Sequence, residues 1–574
     1  MPFSKLKGRR LMLLDMIYTK PSKQTDWKDY LVVLYRDLIT NKKEKMIIEE
    51  PTINIFTVKE EYRRFRKPRH FLSRDMLEMK TVKYKNVVRE IAKIAGQQWL
   101  DYYNNHPSFK DRKQIFKYPY VLGGDIDIVT YYMTIWNEEC GNNERKSPNK
   151  IFLDIEVDQI DYEGAIARHG ECEVNAVTVI DDISSTSYTF LLDNGNNPQI
   201  KDFINNQDAF QTKLHEMFDE SYGDITYNIY MFTDEREMLT QLFKLIHTLD
   251  RDMCLIWNMS FDIPYLIDRM NELGMNAKDV MCSKDFPSQS LYYFEDKRTF
   301  EFANKKDYFA ITDRTHYIDQ LISYAALRKS QGAVKKVNLG AVAQKELKDT
   351  KLDYSDVGNI RTLPYEDYEK FVIYNIKDVL LQMGLERKNH DMDNLYLIST
   401  SNNISYTDAT KQTVTFRGLM YSDLKRDGIV LGHNVNFDQG GSKYDENGEL
   451  NPKDDDDDDD SFAGAINGDP MLNLPNGIEM YGSKSMFLYG LVIDFDFSAM
   501  YPSSIIAFNI FATTMIGKVI ITTVELEHPY DEDLGKEYIE DLIQNDPEFI
   551  GHKWHKLSDY ETLILRLQEK FNVH

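Results

Sequence analysis

The sequence predicts a multidomain α/β protein, and three observations carry that prediction. At 574 residues, 42% of them hydrophobic, the chain is too long for a single core and apolar enough to fill three or four. From Ile151 onward, apolar runs of strand length alternate with stretches of helical period. Acidic residues stand where those elements begin or end: Asp154-Ile155-Glu156, Asn258-Met259-Ser260-Phe261-Asp262 and Tyr374-Asn375-Ile376-Lys377-Asp378.

Residues 1–145 mix short strands with helices and are expected to form an N-terminal α+β domain. Lys5-Leu6-Lys7-Gly8-Arg9-Arg10 followed by Leu11-Met12-Leu13-Leu14 superficially resembles a secretory leader. Asp15 interrupts the apolar stretch and no small-residue cleavage site follows, so export is not expected. No apolar run approaches the roughly 20 residues of a membrane-spanning helix. The most basic stretch holds Arg63, Arg64, Arg66, Lys67, Arg69 and Arg74, with Tyr62, Phe65 and Phe71 between them. It reads equally as a track for single-stranded nucleic acid or as a solvated helix face with its aromatics turned to the core.

Residues 146–390 are expected to form the central α/β domain. Ile151-Phe152-Leu153 is a buried strand running into Asp154, and the period of two puts Asp154 and Glu156 on one face. Met238, Leu242, Phe243, Ile246 and Leu249 repeat at helical spacing, with Asp234 as the cap and Glu237 three residues on. A strand from Cys254 to Trp257 delivers Asn258, and Pro264, near the first turn of the next helix, places Asp262 at its N-terminus. A helix from Tyr365 to Met383 sets Tyr374 and Asp378 one turn apart on one face. Residues 391–475, rich in Gly, Asn and Asp and holding the acidic run Asp454 to Asp460, read as connecting structure. In residues 476–574 a hydrophobic strand from Met486 to Ile493 leads to Asp496.

The net charge of −24 argues against indiscriminate nucleic-acid binding and leaves local charge to decide the rest. Cys140, Cys172, Cys254 and Cys282 form no CxxC pair, which fits reduced thiols in an intracellular protein and argues against a zinc site. Buried carboxylates need a metal or a partner. Asp154, Glu156, Asp262 and Asp378 supply the ligands that two-metal phosphodiester hydrolysis requires, with ions about 3.5–4 Å apart. Oxygen-only ligation favours Mg²⁺ or Mn²⁺ over zinc. Tyr374 is placed to orient the attacking water.

The three motifs, in this order, resemble those of the 3′→5′ proofreading exonuclease of family B DNA polymerases, particularly the enzymes of large tailed phages. The segments Phe232 to Leu239, Tyr317-Ile318-Asp319 and Asn338 to Ala343 resemble those that link the motifs. Phe462-Ala463-Gly464-Ala465-Ile466 resembles the Gly-containing motif between exonuclease and polymerase parts, and Asp496 to Ser503 resembles the first palm motif, D-F-x-S-L-Y-P-S. The resemblance implies an RNase H-like exonuclease domain of the DEDDy type, followed by an incomplete palm. It implies two metals per active site, held by Asp154, Glu156, Asp262 and Asp378 in the exonuclease and by Asp496 and the Phe497 carbonyl in the palm. It further implies contacts to the incoming nucleotide from Ser498, Ala499, Met500 and Tyr501, with Tyr501 excluding a ribose 2′-OH, and contacts to DNA from Asn258 and Phe261. Ala499 and Met500 depart from the usual Ser-Leu, at positions where backbone N–H groups do most of the gripping.

The N-S-x-Y-G fingers signature and the D-T-D palm motif are absent from the sequence. On the resemblance this is an enzyme, a DNA-directed DNA polymerase incomplete on this chain. The chain is either a deliberate fragment or, as favoured here, one subunit of a polymerase encoded in two pieces. Its expected partners are a C-terminal polymerase chain with the second palm aspartate, fingers and thumb, primer-template DNA, dNTPs, and a sliding clamp through the partner chain. Its expected location is intracellular, in the cytoplasm of an infected bacterial host if it is phage-encoded. Two other classes stay open. A stand-alone exonuclease has no use for the sugar gate at Tyr501, and a non-catalytic scaffold has no use for the complete carboxylate set.

Overall fold

A computed structural model describes residues 2–63, 71–140, 146–297, 299–329 and 337–431, with the paired strands Ile478–Met480 and Ser483–Met486. The chain divides into two compact units. One comprises Met1–Ile55, Met79–Glu90 and Gly123–Val430; the other comprises Phe56–Glu78, Ile91–Leu122 and Leu431–His574.

In the second unit Phe56 and Thr57 pair antiparallel with Leu122 and Val121, and the helix Gln97–Asn105 buries Trp99 edge-on to Tyr118. Of the basic stretch, Arg63 closes a short helix and lies over the Tyr120 ring, 5.3 Å from its centroid. Arg64, Arg66, Lys67 and Arg69 lie outside the described residues, as do the acidic run and Asp496 to Ser503.

The first unit opens with an antiparallel sheet of β1 (Leu11–Thr19), β2 (Tyr30–Asp37) and β3 (Lys43–Glu49), followed by helix α1 (Ile128–Cys140). The apolar run that mimics a leader is the start of β1, buried from Leu11 to Met16. No helix among the described residues is long and apolar enough to cross a membrane. The larger sheet contains β4 (Lys150–Val157), β5 (Val174–Asp181), β6 (Thr186–Leu192), β7 (Thr226–Phe232), β8 (Met253–Ile256) and β9 (His316–Asp319), in the order β7-β6-β5-β4-β8-β9. β4 runs parallel to β8 and antiparallel to β5, and β8 is parallel to β9.

Side chains alternate along β4 and so divide the interior into two cores. Ile151, Leu153 and Ile155 face α3 (Glu235–Leu249) and α4 (Met259–Glu272) through Leu242, Phe243, Ile246, Ile263 and Leu266. Phe152 faces the other core, with α2 (Gln207–Tyr222) and the long helix α7 (Tyr368–Asn389). Before α7 come α5 (Gln320–Leu327) and α6 (Leu339–Glu346). α7 is apolar on most of its circumference because it is buried on most of it. It starts three residues later and ends six later than the sequence pattern indicates, capped by Asp367 through the Lys370 N–H.

Two further differences have clear causes. Asp234 caps α3 through the Arg236 N–H, while Glu235 turns inward to the Arg269 guanidinium. The stretch read as connecting structure begins with the helices α8 (Asp391–Asn402) and α9 (Gln412–Arg426). Met392, Leu395 and Tyr396 supply α8 with a buried stripe that its Asn and Asp content conceals.

A buried clamp sets the near ends of the two central strands. Arg36 of β2 meets Asp252 at 2.5 Å, and the other Asp252 oxygen accepts the Asn149 N–H at 2.8 Å. Asn149 precedes β4 and Asp252 precedes β8, so one carboxylate fixes where both begin. Lys43 stands farther off, 3.8 Å from Asp252. Arg36→Met should cost about 3 kcal/mol in a urea unfolding experiment, the penalty for a buried charge stripped of its main partner. A loss below about 1 kcal/mol would mean that Lys43 alone neutralises Asp252.

Candidate active site

The strand period delivers Asp154 and Glu156 to the α7 side of β4, near its C-terminal end. A register shift between Glu156 and Val157 bulges the strand against β5 there, which re-aims the last side chains. On α7, Tyr374 and Asp378 lie one turn apart, both buried. Oxygens of Asp154, Glu156 and Asp378 come within 4.8 Å of one another.

Asp262 lies where expected, in the first turn of α4, which begins at Met259 behind the left-handed Asn258 (φ 67°); Pro264 follows inside the helix. Asp262 is buried and stands beside the three-carboxylate set without belonging to it. Its charge is nevertheless felt at Glu156. Asn258 accepts the Ser260 hydroxyl, and the half-buried Phe261 ring stacks on Tyr265 with centroids 5.4 Å apart. Asp319, at the end of β9, accepts the Met259 and Ile322 N–H groups and so seats the starts of α4 and α5 together.

Two residues the motifs did not single out complete the arrangement. Lys351 donates to Asp378 at 2.6 Å and to the Tyr374 hydroxyl at 3.1 Å. Asn375, fully buried, donates to Asp154 at 3.3 Å and accepts the Thr178 hydroxyl at 2.6 Å, which ties α7 to β5. No spacing signals Lys351 in the sequence. The only available clue is that buried carboxylates require a cation.

Burial raises the pKa of every member, and mutual repulsion adds to it. Asp154 is pushed up to about 7 by burial and by Asp378, against the opposing pull of Lys351. Glu156 and Asp262 go well above the ordinary carboxylate range for the same reasons, and Asp378 is raised despite Lys351. Burial alone would lower Lys351; Asp378, Tyr374 and Asp154 outweigh it and raise it. Burial and Asp378 hold Tyr374 as a neutral phenol. Lys351 thus draws on Asp154, Glu156 and Asp378, with Asp262 beside them. The second oxygen of Asp378 is buried without a hydrogen-bond partner among the described residues. An all-oxygen donor set with an orphaned carboxylate oxygen and excess negative charge fits hard divalent cations.

Residues 153–321 match the family model described as DNA polymerase family B, exonuclease domain. A comparison with curated proteins found no match. The matched segment marks a family B polymerase exonuclease region and holds Asp154, Glu156, Asn258, Phe261 and Asp262; Tyr374 and Asp378 follow it in the sequence. Family B exonuclease domains use divalent metals, and the cluster of Asp154, Glu156 and Asp378 is compatible with that use.

The raised carboxyl groups make the metal-free protein sensitive to pH. A carboxyl with a raised folded-state pKa favours folding while protonated, and that contribution is lost as pH rises through the folded value. For Asp154 the window runs from 3.8 to about 7. In chelator, the melting temperature should fall across this window. Asp154→Asn should flatten the fall, and Mn²⁺ should reverse it at alkaline pH. A melting temperature indifferent to all three would remove the cluster as a source of strain.

Proposed function

We propose that this chain is a 3′→5′ exonuclease that removes nucleotides from a DNA 3′ end, the proofreading part of a family B DNA polymerase. The observation that carries this reading is the convergence of Asp154, Glu156 and Asp378 within 4.8 Å, with one Asp378 oxygen unpartnered. In the reaction a water oxygen attacks the terminal phosphorus and the bond to the 3′ oxygen breaks. A nucleoside 5′-monophosphate leaves, and the shortened strand keeps a 3′-hydroxyl.

Asp154, Glu156 and Asp378, with Asp262 beside them, are the residues that would hold two Mg²⁺ or Mn²⁺ ions, whose chemistry is to polarise the phosphoryl oxygens and acidify water. Tyr374, kept neutral, acts by hydrogen bonding to the attacking water and not as a base. Lys351 fixes Tyr374 relative to Asp378, since one ammonium holds both. Asn375 holds Asp154 against the same helix, so the ligands on β4 and α7 keep a common frame. Lys351 and Asn375 are positioning residues on this reading.

The wider reading is the N-terminal part of a phage-type replicative polymerase, supported by the exonuclease match and by the palm-like Asp496 to Ser503. Asp496 and Phe497 would hold metal there, and Ser498 to Tyr501 would meet the incoming dNTP. The second palm aspartate, fingers and thumb would come from residues beyond this sequence.

With Mg²⁺ and 5′-labelled single-stranded DNA, the purified chain should produce a ladder shortened from the 3′ end. Asp154→Ala with Glu156→Ala should abolish the ladder while the circular dichroism spectrum stays unchanged; undiminished trimming would place the chemistry elsewhere. Lys351→Met should lower the rate about 10–100-fold, as the loss of a ligand-orienting contact does.

A further inference from the structure

A second cluster of metal-ligand type lies in the first unit, on residues that the nuclease reading leaves unused. His215, Asp219 and Asp224 bring one ligand atom each within 4.8 Å of one another. His215 and Asp219 are one turn apart near the end of α2. Asp224 follows Gly223, whose φ of 86° ends the helix and turns the chain toward β7.

The contact between His215 Nδ1 and Asp219 Oδ2, at 3.0 Å, is by itself an ordinary surface ion pair. Tyr227 shows that more is present. It is the second residue of the edge strand β7, only 3% exposed, and its hydroxyl is buried with no hydrogen-bond partner among the described residues. Buried hydroxyls are rarely left so, because the lost bond to water is not replaced. The Tyr227 ring stands edge-on to the His215 imidazole with centroids 5.3 Å apart. Asp219 and Asp224 both act on its phenol, adding to burial in raising its pKa. One oxygen of Asp219 is likewise buried and unpartnered among the described residues. One orphaned hydroxyl therefore borders a set of three ligand-type side chains that itself contains an orphaned oxygen.

We propose that His215, Asp219 and Asp224 bind a divalent transition-metal ion of the zinc class, with the Tyr227 hydroxyl hydrogen-bonded to a water on that ion. One imidazole with two carboxylates suits zinc and its neighbours better than Mg²⁺ or Ca²⁺, which prefer oxygen throughout. The spacing of the cysteines argues against zinc at thiolates and does not bear on a set that contains none. His215 and Asp219 are 40% and 34% exposed, which leaves the ion an entry path and room for water. The site would be structural. It would staple the last two turns of α2 to the turn before β7, and the last of those turns carries Tyr222, hydrogen-bonded to Asp349 at 2.7 Å. Asp349 also meets Lys377 of α7 at 2.5 Å, so the staple would brace the helix that carries Tyr374 and Asp378.

The test is calorimetric titration of Zn²⁺ into the full chain carrying Asp154→Asn, Glu156→Gln, Asp262→Asn and Asp378→Asn, so that the nuclease carboxylates contribute no ligand. One equivalent should bind. Adding His215→Ala or Asp219→Asn should remove it, and adding Tyr227→Phe should weaken it about tenfold. Zn²⁺ should raise the melting temperature of the background protein but not that of its Asp219→Asn derivative. The proposal is overturned if the stoichiometry survives His215→Ala, or if no equivalent binds at all; the cluster is then an ion pair only. Binding is the readout, so the outcome is independent of whether the chain degrades DNA.

Discussion

Four buried carboxylates held close together, with Lys351 drawing on three of them, are the constraint around which the first unit is organised. Left to itself, such a group would turn outward to water or hold its protons. Here it does neither freely, because each member is seated on an element whose position is fixed by something else. β4 is paired on both sides in the middle of the six-stranded sheet. α7 is buried along most of its length, and α4 is seated by Asp319. The hydrophobic cores on the two faces of β4 supply the energy that holds the charges together. Lys351 and Asn375 then set distances that packing alone would leave loose.

The same logic governs the loop between β4 and β5, which leaves the sheet beside Glu156. Arg361 donates to the carbonyls of Tyr162, Gly164 and Ala165, and Arg269 donates to that of Gly170. Gly170 has a φ of 73°, and any Cβ there would lie 2.4 Å from the Arg269 backbone nitrogen. The loop is thus pinned through its backbone carbonyls, in addition to the buried Ala167 and the Tyr162 and Cys172 side chains packed on the core.

How legible all this was depends on the range of each signal. Asp154 and Glu156 were legible because a strand has a period of two, and Tyr374 and Asp378 because a helix repeats every 3.6 residues. Asp262 was legible as a residue near a helix start, but its distance from the other three carboxylates is a tertiary quantity. Asn375 meets Asp154 across 221 positions and Thr178 across 197, and no local pattern encodes either contact. Lys351 lies between elements, where neither period applies. The helices after residue 390 were hidden for the opposite reason: the Asn and Asp content of α8 outweighed a short apolar stripe. The leader-like start was misleading because a buried strand and a leader core share a composition and differ in what they pair with.

One consequence concerns synthesis on the ribosome. The ligands on β4 appear early in translation, whereas Asp378 and its tether Asn375 arrive only with α7, after the whole sheet has been made. Until that helix docks against β4 and β5, Asp154 has neither its neighbour nor its hydrogen bond, and the metal set is incomplete. On the proposed nuclease reading, a nascent chain would have no cutting power until that helix docks.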